Sequence, residues 1–136
     1  MTELQIVNKE QAEKLKKLGF NWECQSYYIK RRNKNTATLT ISSKAFDFNA
    51  EDACYFSAPT VALALKWIRD VKKVPNAVNF WDVVSWEYEG SYQVCNIIDT
   101  GDKRLQPRTT YNTKSSADYG IAESALLDEL LNILEK

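Results

Sequence analysis

The sequence predicts an α+β fold, an antiparallel sheet of hairpins packed against helices on one face. Apolar residues recur at helical spacing in three separate stretches, and β-branched and aromatic runs lie between those stretches. At 136 residues, 44% hydrophobic and 26% charged, the chain has the length and composition of one globular domain, taken as residues 1–136.

The first helix is expected over residues 9–18. Asn8 stands three residues before Gln11, the spacing of a capping box, and Ala12, Leu15 and Leu18 follow on one face. Gly19 supplies the left-handed residue that ends a helix, and Phe20 can fold back on the last turn. Residues 27–30 and 37–41 then form two strands of a hairpin around the polar linker 31–35, with Leu39 and Ile41 expected to face the core and the threonines to face water. Residues 43–58 mix four aromatics with an acidic stretch, which suits either a third short strand with a loop or an ordered loop alone.

Pro59-Thr60 opens the next helix, with Thr60 available as its cap. Val61, Ala64, Leu65, Ile68 and Val71 form its apolar stripe, Trp67 borders it, and Pro75-Asn76 stops it. Residues 80–88 and 92–98 are expected to pair as a hairpin turning at Glu89-Gly90-Ser91, Gly90 providing a positive φ. Residues 99–117 are polar and read as a long loop, with a short strand near Thr109-Thr110-Tyr111. Asp118 or Ser116 caps a last helix over 118–135, whose stripe runs through Ile121, Ala122, Ala125, Leu126, Leu130, Ile133 and Leu134 and is widened by Leu127 and Leu131.

Composition excludes several functions. Eighteen basic residues balance eighteen acidic ones, so no global field draws nucleic acid or anionic lipid. No apolar run approaches the ~20 residues of a membrane span, and the first residues lack the pattern of a secretory signal, so a cytoplasmic protein without membrane contact is expected. Histidine is absent, which removes His-based triads, His-ligated zinc and the commonest general base. The four glycines are scattered singly, so there is no phosphate-cradling loop, and no cofactor is implied.

Ser57-Ala58-Pro59-Thr60 followed by Ala64-Leu65-Lys66-Trp67-Ile68-Arg69 resembles an "APT…ALKWLR" helix, and Tyr119 to Leu127 resembles a "YxxAExALL" helix. With the opening Glu10 to Phe20, these stretches resemble small uncharacterised phage- and prophage-type proteins of Bacteroides-like gut bacteria. The resemblance implies a compact α+β domain of phage or mobile-element origin. It transfers no activity, because the shared residues are helix faces and caps.

The side chains offer four further kinds of site. Asp47, Glu51 and Asp52 in one segment and Glu87 and Glu89 on the hairpin could share acid–base work if buried and close, and Asp47, Asn49, Glu51 and Asp52 place oxygen ligands at near-alternate spacing, but the glycine and terminal glutamate of a calcium loop are missing and solvated carboxylates are the plainer reading. Cys24, Cys54 and Cys95 are too few and too far apart for a disulfide framework, and without histidine a thiol nucleophile lacks its usual base. Tyr27, Tyr28, Lys30, Arg31, Arg32 and Lys34 interleave aromatics with base, and Lys103, Arg104 and Arg108 form a second basic stretch; together they are the candidate nucleic-acid site. Four tryptophans and a broad leucine arc make Trp67, Trp81, Trp86, Leu127 and Leu131 the candidate protein interface, toward a second copy or a phage or host protein. By elimination the expected function is a non-catalytic accessory or binding protein acting through protein–protein contacts, with weak nucleic-acid binding as the alternative.

Overall fold

A computed structural model describes residues 5–30, 37–51, 53–82, 87–95, 108–113, 116 and 118–135. In chain order the elements are α1 (Lys9–Lys17), β1 (Cys24–Lys30), β2 (Ala37–Phe46), α2 (Phe48–Glu51), β3 (Tyr55–Ser57), α3 (Val61–Val71), β4 (Asn76–Asp82), β5 (Glu87–Cys95), β6 (Arg108–Asn112) and α4 (Tyr119–Leu134). The fold class is α+β, with two antiparallel three-stranded sheets ordered β2-β1-β3 and β4-β5-β6. The chain divides into two compact units, residues 1–67 with 127–136, and residues 68–126. No helix among the described residues is long and apolar enough to cross a membrane.

Local signals set the helix ends of the first unit. Asn8 Oδ1 accepts from the Gln11 N–H at 2.8 Å while Gln11 Oε1 accepts from the Asn8 N–H at 2.9 Å, which completes the capping box. At the other end Gly19 has φ +93°, its N–H donates to Lys16 O, and the Phe20 N–H donates to Leu15 O. That pair of bonds is a Schellman closure, and it turns Phe20 inward to meet Trp67 edge-on at 5.3 Å between centroids. Thr60 Oγ1 accepts from the Leu63 N–H, so threonine rather than Pro59 caps α3. Gln11 Nε2 donates to Asp128 Oδ1 at 2.9 Å and Lys14 Nζ to Asn132 Oδ1 at 2.7 Å, tying α1 to the end of α4. Val7, Leu15, Phe20, Val61, Trp67, Leu130 and Leu131 are buried here.

The two faces of the first sheet are covered differently. Tyr28, Lys30 and Phe56 lie on the face that meets α1, where Lys30 Nζ reaches Glu13 at 3.2 Å and Lys16 Nζ sits 4.7 Å from the Phe56 ring centre. Tyr27 and Tyr55 lie on the other face, where Phe48 of α2 stacks on Tyr27 at 4.2 Å. Leu39 and Ile41 share the α1 side, yet they are 42% and 71% exposed, against the expectation that they face the core. The reason is position: α1 makes its bonds over β1 and β3, and β2 is the outermost strand.

In the second unit the expected hairpin has a different register. β4 pairs with β5 so that Val78 lies opposite Gly90 and Phe80 opposite Tyr88, which puts Gly90 inside a central strand rather than at a turn. β4 ends at Asp82 and β5 begins at Glu87 instead, and residues 83–86 of the expected first strand lie outside the described residues. A Cβ at Gly90 would stand 2.6 Å from Thr113 Oγ1 and 2.8 Å from Leu126 Cβ. The glycine is needed for close packing rather than for φ freedom. β6 confirms the short strand near Tyr111, which stacks on Tyr92 at 5.3 Å. Asp118 Oδ1 accepts from the Ile121 N–H and caps α4.

The apolar stripe of α4 is rotated from the expected one. Ala122, Leu126, Leu127, Leu130 and Leu131 are buried, while Ile121 and Ile133 are exposed. The helix is apolar over so wide an arc that periodicity leaves its inward side undetermined. Val71, expected in the α3 stripe, is exposed as well.

Candidate functional site

The two edges of the first sheet can be compared group by group, because the hydrogen bonds of β1 settle which way each peptide points. The Ala58 N–H donates to Ser26 O at 2.9 Å and the Lys30 N–H donates to Cys54 O at 2.9 Å. Ser26, Tyr28 and Lys30 therefore direct their peptide groups toward β3. By the alternation of an antiparallel strand, Tyr27 and Ile29 direct theirs toward β2, opposite Thr40 and Thr38. It follows that Thr38 and Thr40 bond inward while Ala37, Leu39 and Ile41 present N–H and C=O outward. Among the described residues no strand pairs with that outer side.

The opposite edge is closed. Phe56 pairs with Tyr28, so Tyr55 and Ser57 point outward from β3. Tyr55 O accepts from Lys16 Nζ at 2.7 Å, and the Ser57 N–H donates to Asn49 Oδ1 at 2.9 Å. Asn49 is held in place by its own Nδ2, which donates to Phe20 O at 2.9 Å, and by its N–H, which donates to Ser57 Oγ. Lys16 also donates to Ala53 O. Three residues long and bonded by two side chains, β3 has little left to offer a partner strand.

Of the aromatic and basic residues singled out from the sequence, this geometry separates Tyr27 from Tyr28 and Lys30. Alternation puts Tyr27 on one face of the sheet and Tyr28 with Lys30 on the other. The Tyr28 hydroxyl donates to Val7 O at 2.8 Å, and burial raises its pKa; Lys30 is engaged by Glu13. Tyr27 stacks on Phe48 and meets Tyr55 at a tilt. Arg31, Arg32, Lys34, Lys103 and Arg104 lie outside the described residues, and Arg108 opens β6 opposite Cys95. Of the proposed interface residues, Trp67, Leu127 and Leu131 are buried at 1%, 0% and 0% exposure, so their side chains have no surface for a second molecule. Trp86 lies outside the described residues, and Trp81 belongs to β4.

Of the candidate reactive groups, Cys24 and Asn49 are taken up by the fold. The Cys24 thiol is buried beside Ser57 and donates to Ser26 O at 3.2 Å. Burial is the main cause of its raised pKa, the Asp47 charge adds to it, and hydrogen bonds offset part. The thiol thus stays protonated at neutral pH and is a poor nucleophile. Asn49 serves the fold, Glu51 is exposed, and Asp52 lies outside the described residues. Among the described residues no group of three or more Cys, Asp or Glu is placed to hold a metal ion. Glu123, which nothing in the sequence marked, is buried on α4; burial raises its carboxyl pKa, against the opposing effect of a hydrogen bond from Tyr119. The roles of Lys16 and Asn49 were equally unmarked, since each depends on contacts distant in sequence.

No family model, curated protein or solved structure matches the chain.

Proposed function

We propose that this chain is a non-catalytic accessory protein that acts through protein–protein contacts, and that the outer edge of β2 is its contact element. The observation carrying this reading is the contrast between edges. Among the described residues the outward peptide groups of Ala37, Leu39 and Ile41 meet no partner strand and lie beside two exposed apolar side chains, while the β3 edge of the same sheet is bonded by Lys16 and Asn49. An open row of donors and acceptors binds an extended strand, with backbone bonds supplying affinity and alternate side chains supplying selectivity. The resemblance of the α3 and α4 stretches to phage- and prophage-type proteins adds a mobile-element origin to the proposal.

Residue-resolved hydrogen exchange on dilute protein tests it. The amides of Leu39 and Ile41 are expected to exchange at nearly unprotected rates, and those of Thr38 and Thr40 to be protected by β1. Equal protection at all four positions in a dilute monomer would mean that the chain covers its own edge, and the reading would fall. The nucleic-acid alternative draws no support from the described residues, because Tyr27 lies on the opposite face from Tyr28 and Lys30, which are bonded to Val7 O and Glu13.

A further inference from the structure

We infer that the strand received by β2 is β2 of a second copy, paired antiparallel about a two-fold axis at Leu39; this rests on the open-edge reading above. A two-fold at Leu39 sets Leu39 opposite itself and Ala37 opposite Ile41 of the other copy. Those are the three residues whose peptide groups point outward, so every outward N–H between 37 and 41 meets an outward C=O. Moving the axis to Ile41 carries the pairing past the regular stretch, because β2 leaves register between Ile41, opposite Ser26, and Phe46, opposite Cys24.

The side chains suit the same register. On the α1 side the small Ala37 faces the large Ile41, and Leu39 faces Leu39, giving one apolar ribbon across the junction. On the other side Thr38 faces Thr40, a favourable cross-strand pair. Residues 37–41 carry no charge, so the pairing opposes no like charges and offers nothing by which to select an acidic or basic peptide. The product is a continuous six-stranded sheet, β3-β1-β2 joined to its symmetry mate. A contact of this size lies at the small end of specific interfaces, so association is expected at roughly micromolar concentrations or above.

Light scattering across a dilution series is expected to rise from the mass of one chain toward twice that mass. Leu39→Lys places two ammonium groups opposite each other and is expected to hold the protein monomeric, with Thr38 and Thr40 amide protection showing that the sheet persists. Leu39→Cys and Ile41→Cys then read the register. In the proposed pair the two Leu39 Cα atoms stand about 5.5 Å apart, within disulfide reach. The two Ile41 positions stand roughly 14 Å apart along the strand and are beyond it. Oxidation should therefore give a covalent dimer with Leu39→Cys at several times the level seen with Ile41→Cys or with the native thiols alone. A monomer at every concentration, equal cross-linking from both positions, or a dimer undisturbed by Leu39→Lys would overturn the inference. Monomeric protein with freely exchanging Leu39 and Ile41 amides removes the second copy but leaves the open edge standing; protected amides in a dilute monomer remove both.

Discussion

β2 and β3 flank the same central strand, yet they end the sheet in opposite ways. β3 is three residues long, and two of its outward groups, the Tyr55 C=O and the Ser57 N–H, are taken by the Lys16 ammonium and the Asn49 carboxamide. β2 is ten residues long, with exposed Leu39 and Ile41 and no partner on its outer side among the described residues. Sheet edges are usually blunted by short length, charge or irregular backbone. β3 has the first and is bonded by side chains besides; β2 bulges only beyond Ile41, and its one charge, Lys44, lies beyond that point too. The β3 edge is closed by particular side chains brought from α1 and α2, and among the described residues none reaches the stretch 37–41.

Substitutions can break or sharpen this contrast between closed and open backbone. The largest effect is expected where a strand is most tightly covered. Gly90→Ala drives a methyl group against Thr113 and Leu126, and should lower stability by about 3 kcal/mol in chemical denaturation, the upper part of the usual overpacking range. Next comes the closed edge: Asn49→Ala removes the acceptor for the Ser57 N–H and the donor to Phe20 O, a loss of about 2 kcal/mol. It should also speed exchange of the Ser57 amide, which distinguishes an opened edge from general loosening. The smallest belongs to the open edge, where Ile41→Thr should change stability by less than about 0.5 kcal/mol when measured at a dilution that excludes association. A large loss there would show that Ile41 is packed after all and that the edge is not open.

Features governed by neighbouring residues could be read from the sequence. The Asn8–Gln11 box, the Gly19 stop and the Thr60 and Asp118 caps all stand where residue type and spacing put them. Features governed by long-range pairing could not. Gly90 looks like a turn glycine because turns and close packing both favour glycine, and only the position of Leu126 decides between them. Leu39 and Ile41 alternate with threonines as a half-buried strand would, but no local pattern says which strand of a sheet is outermost. For α4 the leucine arc is too broad to give a direction. The candidate site itself is a matter of which peptide groups lack a partner, and that is invisible until strand order is known.

The closed β3 edge has a consequence for how far any association can run. A sheet with two open edges can add strands at both ends and extend without limit, the route to filaments and precipitates. Here addition at β2 uses up the long edge, and at β3 only three residues remain, with Lys16 and Asn49 already bonded to two of their outward groups. On this sheet growth ends with the first strand added, so a finite complex can form from an exposed strand without turning that strand into a seed.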